Sequence, residues 1–231
     1  MVMTPDEDTV SHRSDSGAAE VESALRLLSW AAQCAPDATG QAAYRLQLAR
    51  TQLVRRDVVA AASVYQQIMS DRSLRAVRMR VAMELSPPGY RPSGEASEDD
   101  SDEEIGPIVT RWIAWLIATH GDEVYAAIEK AARDRLTVVR ATKDASGLLE
   151  LADAYPNSKV ATIALGDHAR VMMEQGDLAT ASRSYRRALA QVKAPDRPEL
   201  IREFASCLAK DRKWALAAQW VDRGRRDYPQ H

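Results

Sequence analysis

Three pairs of alanines, each set twelve residues apart, constrain this chain more than any other feature: Ala49 with Ala61, Ala169 with Ala181, and Ala205 with Ala217. Around the middle pair, Leu165, Ala169, Met172 and Met173 recur at helical spacing, and Leu178, Ala181, Tyr185, Ala188, Leu189 and Val192 do the same beyond Gly176-Asp177. Glycine takes the left-handed conformation that stops a helix, and an aspartate directly after it accepts hydrogen bonds from the unpaired amides that open the next one. Residues 162–195 are therefore predicted to form an antiparallel helical hairpin. Small side chains at matched points let the two backbones approach at the crossing, and a larger residue four positions on (Tyr65, Tyr185 and Val221) is expected to fill the flanking groove. In the first hairpin Arg56 replaces the turn glycine, at a cost of about 1 kcal/mol if it is left-handed.

A hairpin with one apolar stripe cannot bury that stripe alone, so it needs neighbours of its own kind. The turn residues Asp177 and Lys213 stand 36 apart, and Tyr155-Pro156 and Tyr228-Pro229 stand 73 apart, about two such periods. At these residues the chain resembles the tetratricopeptide repeat (TPR) family. Ala169, Ala181, Tyr185 and Ala188 match its motif in one hairpin, and Ala205, Ala217 and Pro229 in the next. Arg45, Leu165 and Ile201 stand where the family has its first aromatic, Ala replaces the helix A glycine, and His168 replaces an apolar residue. The resemblance implies an all-α fold, a TPR-like α-solenoid of antiparallel helical hairpins, and a concave groove lined by first helices. It places Leu46, Arg50 and Leu53 in that groove, then Arg170, Met173 and Glu174, then Arg202, Ser206 and Lys210. Gly166, Glu199 and Glu203 occupy positions where the family's clamp for a C-terminal carboxylate needs cations and an amide, so capture of chaperone tails is not implied. The run YPNS, a helix, then GDLATASRSY is also similar to repeats in bacterial envelope proteins, such as outer-membrane assembly lipoproteins, and more loosely to helical segments accompanying PQQ-type propeller repeats. The function expected on this basis is a non-catalytic scaffold for protein–protein interaction, with a place in an envelope assembly or as the helical accessory segment of a larger propeller-containing protein as narrower forms.

Four segments are expected along the chain. Residues 1–17 lack a hydrophobic period and read as a disordered leader. Residues 18–85 read as a helical block with one hairpin, in which positions 74–85 form an amphipathic segment ended by Pro87-Pro88-Gly89. Residues 86–104 carry Glu95, Glu98, Asp99, Asp100, Asp102, Glu103 and Glu104, seven like charges in ten positions, and read as an acidic disordered linker. Residues 105–231 read as a second, TPR-like block whose first helix, with Ile108, Trp112, Ile113, Trp115, Leu116 and Ile117, is apolar over much of its circumference.

Little in the sequence points to chemistry. His12, His120, His168 and His231 have no metal-ligand spacing, so no metal and no cofactor is expected. His168 neighbours Asp167, but adjacent helical residues point about 100° apart, which favours a core role over a catalytic pair. Phosphate-binding, dinucleotide-binding, nucleophile-elbow and zinc-protease motifs are absent, so no enzyme is predicted. Cys34 and Cys207 lie in no CxxC or Cys/His cluster and read as small core residues. The net charge of -2 gives no general affinity for polyanions. Residues 157–231 do hold fourteen Lys and Arg against nine Asp and Glu, and Arg183, Arg186, Arg187, Arg223, Arg225 and Arg226 lie on second helices, away from the stripes. A nucleic-acid partner is thus an alternative, disfavoured by the absence of interleaved exposed aromatics. With no apolar leader after Met1 and no stretch long enough to span a bilayer, a cytoplasmic location is expected, or a periplasmic one should Met1 not be the true start.

Overall fold

A computed structural model describes residues 8–81, 83–90, 102–192 and 197–230. Among the described residues the protein is all-α, with eleven α-helices and a single two-stranded ribbon. The chain divides into two compact units, Met1–Val124 and Tyr125–His231.

In the N-terminal unit, α1 (Asp8–Cys34) packs on α2 (Ala38–Val54), α2 on α3 (Val58–Ser70), and α3 on α5 (Ile105–His120). The first hairpin forms as its sequence dictates: Arg56 is left-handed with φ 64, and Asp57 caps α3 by accepting a bond from the Ala60 amide at 3.0 Å. Ala49 and Ala61 are wholly buried, as is Tyr65. α1 starts at Asp8, ten residues before the apolar period at Ala18, within the stretch expected to be a disordered leader. Once residues beyond Ala18 are held against α2, each further residue adds a hydrogen bond without a new nucleation cost.

Residues 74–85 are not one amphipathic helix. Asp71 caps a single turn, α4 (Arg72–Arg75), and the backbone then extends into β1 (Arg78–Met79), which pairs antiparallel with β2 (Glu103–Glu104). Arg78 stands opposite Glu104 in that ribbon, a favourable cross-strand charge pair. The Ile105 amide donates to the Val77 carbonyl at 2.9 Å, and a Cβ on Gly106 would come within 3.0 Å of the Arg75 carbonyl oxygen, so α5 begins hard against α4. Glu103 and Glu104, expected in a linker, are therefore part of the fold. So is Tyr90, whose ring lies 6.4 Å from Trp112 and 5.9 Å from Trp115. These contacts put α5 in the N-terminal unit, and the division between units falls after Val124 rather than in residues 86–104. Glu95, Glu98, Asp99 and Asp100 lie outside the described residues, as do positions 1–7.

The C-terminal unit runs α6 (Ala126–Thr142), α7 (Ala145–Ala154), α8 (Lys159–Glu174), α9 (Leu178–Gln191), α10 (Arg197–Lys210) and α11 (Trp214–Asp227), with each of α7 to α11 packed on the helix before it. Gly176 is left-handed with φ 83, and Asp177 accepts from the Thr180 amide at 2.9 Å. The next turn repeats the geometry with poorer residues: Arg212 has φ 58, and Lys213 offers no side-chain cap. Ala169, Ala181 and Phe204 are buried in one core, and Phe204 lies between Tyr185 at 6.1 Å and Trp220 at 5.2 Å. Val221 does not fill a groove as its spacing suggested. It is 38% exposed, because α11 packs on α10 through a narrow strip of which only Ala217 is buried.

The cysteines divide. Cys207 is buried, whereas Cys34, expected in the core, is exposed as the last residue of α1, and both thiols are free. Among the described residues no helix is long and apolar enough to cross a membrane.

Candidate protein-binding face

The first helices of two successive hairpins, α8 and α10, stand on either side of a concavity of ≈ 300 Å³ in the C-terminal unit. Arg170 and Met173 reach it from α8, Arg202, Glu203 and Ser206 from α10, and Tyr185 from α9. The register follows from the alanines: Arg170 and Ser206 each come one residue after a crossing alanine, Ala169 and Ala205, so both project beside the crossing. Met173 and Tyr185 meet there, with the Tyr185 hydroxyl donating to Met173 Sδ at 3.6 Å. Burial raises the Tyr185 pKa, and the negative charge of Glu203 raises it further, so the phenol stays protonated and remains a donor.

Charge on this face is balanced internally. Arg170 Nη2 lies 3.0 Å from Glu203 Oε1, and Arg170 Nη1 lies 2.5 Å from Asp167 Oδ1. Arg140 Nε, reaching over from α6, holds the other Asp167 oxygen at 2.5 Å. Burial alone would lower the Arg170 pKa, but the bonds and charges of Glu203 and Asp167 outweigh it and the net shift is upward. Arg202 is paired with Glu199 one helical turn earlier. The result is a mixed-charge rim around a small apolar and aromatic floor, fixed in geometry by a guanidinium that spans two helices.

Of the residues placed in a groove by motif position, Arg170, Met173, Arg202 and Ser206 line this concavity; Glu174 and Lys210 are exposed on the same helices but do not. Leu46, Arg50 and Leu53 belong to the N-terminal unit. Leu46 has no exposed surface at all: it lies three residues before Ala49 on the face of α2 that packs into the core, which removes it from any binding surface. Arg50 and Leu53 are half-buried. Tyr185, expected to serve packing alone, also lines the concavity, and Glu203, which stands at a clamp position of the family's groove, lines it as an acid facing Arg170 across adjacent first helices.

His168 is paired with neither Asp167 nor a solvent-facing group. Its Nδ1 lies 2.8 Å from Ser184 Oγ, and the two residues are 4% and 3% exposed, so the bond ties α8 to α9 inside the unit. Burial pushes its pKa down and the Arg187 charge adds to the shift, while Asp153 and Asp177 oppose it. Several arginines of the second helices are engaged as well. Arg187 pairs with Asp153 at 2.5 Å, Arg186 lies over the Phe204 ring at 5.9 Å, Arg183 donates to Thr180, and Arg223 lies over Trp220 and beside Asp227. Among the described residues no group of three or more His, Cys, Asp or Glu side chains is placed to hold a metal ion. Comparison with protein-family models, curated proteins and solved structures finds no match to this chain.

Proposed function

We propose that this protein is a non-catalytic TPR-like scaffold whose C-terminal unit holds a segment of a partner protein in the concavity between α8 and α10. The observation that carries this reading is the convergence of Arg170, Met173, Arg202 and Ser206 on one concave surface with Tyr185 and Glu203. A surface of alternating charge over Met and Tyr suits an extended or helical peptide that brings one apolar side chain and both signs of charge. It does not suit a polyanion, since Arg170 and Arg202 already face carboxylates within the unit. On the second helices Arg187, Arg186 and Arg223 are likewise committed to Asp153, Phe204 and Trp220, which weighs against nucleic acid.

Selection from a random displayed-peptide library against the full chain tests the proposal. Enriched peptides are expected to bind the wild-type protein and to lose about tenfold or more in affinity for Met173→Lys, the loss of one well-buried contact of 1.4 kcal/mol or more. No enrichment, or peptides indifferent to Met173→Lys and equally to Ser206→Trp, refutes it.

A further inference from the structure

Each second helix carries a stripe of residues three or four apart on the side that a later helix packs against. On α3 the stripe is Val58, Ala62, Tyr65 and Met69, and on α9 it is Leu178, Ser182, Tyr185 and Leu189. α5 covers the first, with Trp112 against Tyr65 at 5.6 Å and the Thr110 hydroxyl 3.8 Å from Met69 Sδ. α10 covers the second, with Phe204 against Tyr185 at 6.1 Å and Cys207 Sγ 3.7 Å from the Leu178 carbonyl oxygen. The last three residues of each stripe are buried and the first is half-buried.

On α11 the same register gives Trp214, Ala218, Val221 and Arg225, and all four are exposed, Trp214 by 66%. A helix face left to water carries polar side chains, whereas Trp, Ala and Val in line are the residues of a face that is covered. The fourth position differs in kind from the other stripes. Arg225 stands where α3 has Met69 and α9 has Leu189, and it makes no ion pair among the described residues. Whatever lies on this stripe must therefore bring apolar surface to its middle and receive a guanidinium at its end.

α11 meets that description itself when turned end for end. Trp214 and Arg225 stand about 16 Å apart along the helix axis. In an antiparallel pair, with a two-fold axis between positions 219 and 220, each Arg225 comes over the second copy's Trp214. Ala218 then faces the second copy's Val221, small against large, which lets the helices close to about 8–10 Å. A guanidinium over an indole is already in use on this helix, where Arg223 lies 5.3 Å from the Trp220 ring centroid. A parallel pair would set Arg225 against Arg225, so charge selects the antiparallel, closed arrangement. We propose that the α11 stripe is the contact face of a homodimer, covered by α11 of a second copy of this chain. The proposal goes beyond the α8–α10 face, since no residue of the stripe lines that concavity.

Sedimentation velocity of the full chain over a concentration series tests it. One stripe of this length falls well short of the roughly 800 Å² per partner of a tight interface, so a dissociation constant of about 0.1 mM is expected. The mass then rises with concentration from 25.5 kDa toward twice that value. Trp214→Arg sets two arginines together at both ends of the pair and is expected to weaken it about tenfold or more. Trp214→Arg combined with Arg225→Trp restores both contacts with the roles reversed and is expected to regain the dimer. Both positions are exposed, so helical circular dichroism should match wild type in each variant. A chain that stays at 25.5 kDa up to about 1 mM, a dimer within about twofold of wild type in Trp214→Arg, or a double variant as weak as Trp214→Arg overturns the assignment. So does a monomeric chain whose Trp214 indole resonance is shifted by a library-selected peptide, an outcome that gives the stripe to a partner's helix. Met173→Lys is expected to leave the dimer intact, which keeps failure of the peptide-binding reading separate from failure of this one.

Discussion

Three turns share one backbone geometry but not one residue: Arg56, Gly176 and Arg212 have φ of 64, 83 and 58. A side chain in this region costs about 1–2 kcal/mol, and glycine gives back about 0.5–1 kcal/mol of that through the larger entropy it loses on folding, so each exchange nets about 0.5–1 kcal/mol. Nothing lies within 4 Å of a Cβ built on Gly176, so Gly176→Ala carries the conformational term with no steric one. Gly176→Ala is therefore expected to destabilise by about 1 kcal/mol, whereas Arg56→Gly and Arg212→Gly stabilise by about 0.5–1 kcal/mol each. Urea unfolding followed by helical circular dichroism reads these differences as shifts in midpoint at constant slope; heating reads them as about 2–4 °C for a chain of this size. Lys213→Asp, which restores the cap present at Asp57 and Asp177, adds about 1 kcal/mol more in the same direction. If Arg212→Gly destabilised the protein as Gly176→Ala does, the equivalence of the turns, and with it the repeat register, would be wrong.

His168, buried with a lowered pKa, binds fewer protons when folded than when unfolded, so its contribution to stability is full above the ordinary histidine range and is lost as pH falls from about 6.5 toward its depressed folded value. His168→Gln should flatten that part of the stability profile measured by urea titration between pH 7.5 and 5; an unchanged slope would contradict the burial of the pair. A thiol reagent added to the native protein should modify Cys34 fast and Cys207 only on unfolding, since Cys207 is buried and burial pushes its pKa up; two equal rates, read by mass spectrometry of the labelled peptides, would contradict that division. Phe204→Ala, at the centre of the Tyr185–Phe204–Trp220 contacts, should cost about 3–5 kcal/mol in chemical denaturation, against less than about 0.5 kcal/mol for Val221→Ala on the exposed face of α11.

What could be read in advance was local. Helix periods, the left-handed Arg56, the caps at Asp57 and Asp177 and the buried alanine crossings all follow from residues within one hairpin, where spacing alone decides the geometry. The misreadings share the opposite cause. Positions 74–85 show a helical pattern, yet the backbone of Val77 bonds to Ile105 and Arg78-Met79 pairs with Glu103-Glu104 across the acidic stretch, contacts that no local period reports. Leu46, Cys34 and Val221 were each misplaced because their exposure depends on which helix lies beside them. Arg170, Met173, Arg202 and Ser206 were legible as a face because motif position fixes direction on a helix. Glu203 was legible as an acid at a clamp position of the groove, but its ion pair with Arg170 was not, because it forms between helices; Tyr185 was not legible as a lining residue, because it reaches the concavity from a core position.

The central claim, that the face between α8 and α10 receives a peptide, is tested most directly by the methyl resonance of Met173 in the full chain titrated with a library-selected peptide. The account predicts a saturable shift of the Met173 methyl, with intermolecular contacts to the peptide, while the methyl of Met69, buried in the N-terminal unit, stays where it is. A peptide that binds and leaves Met173 unmoved would contradict it.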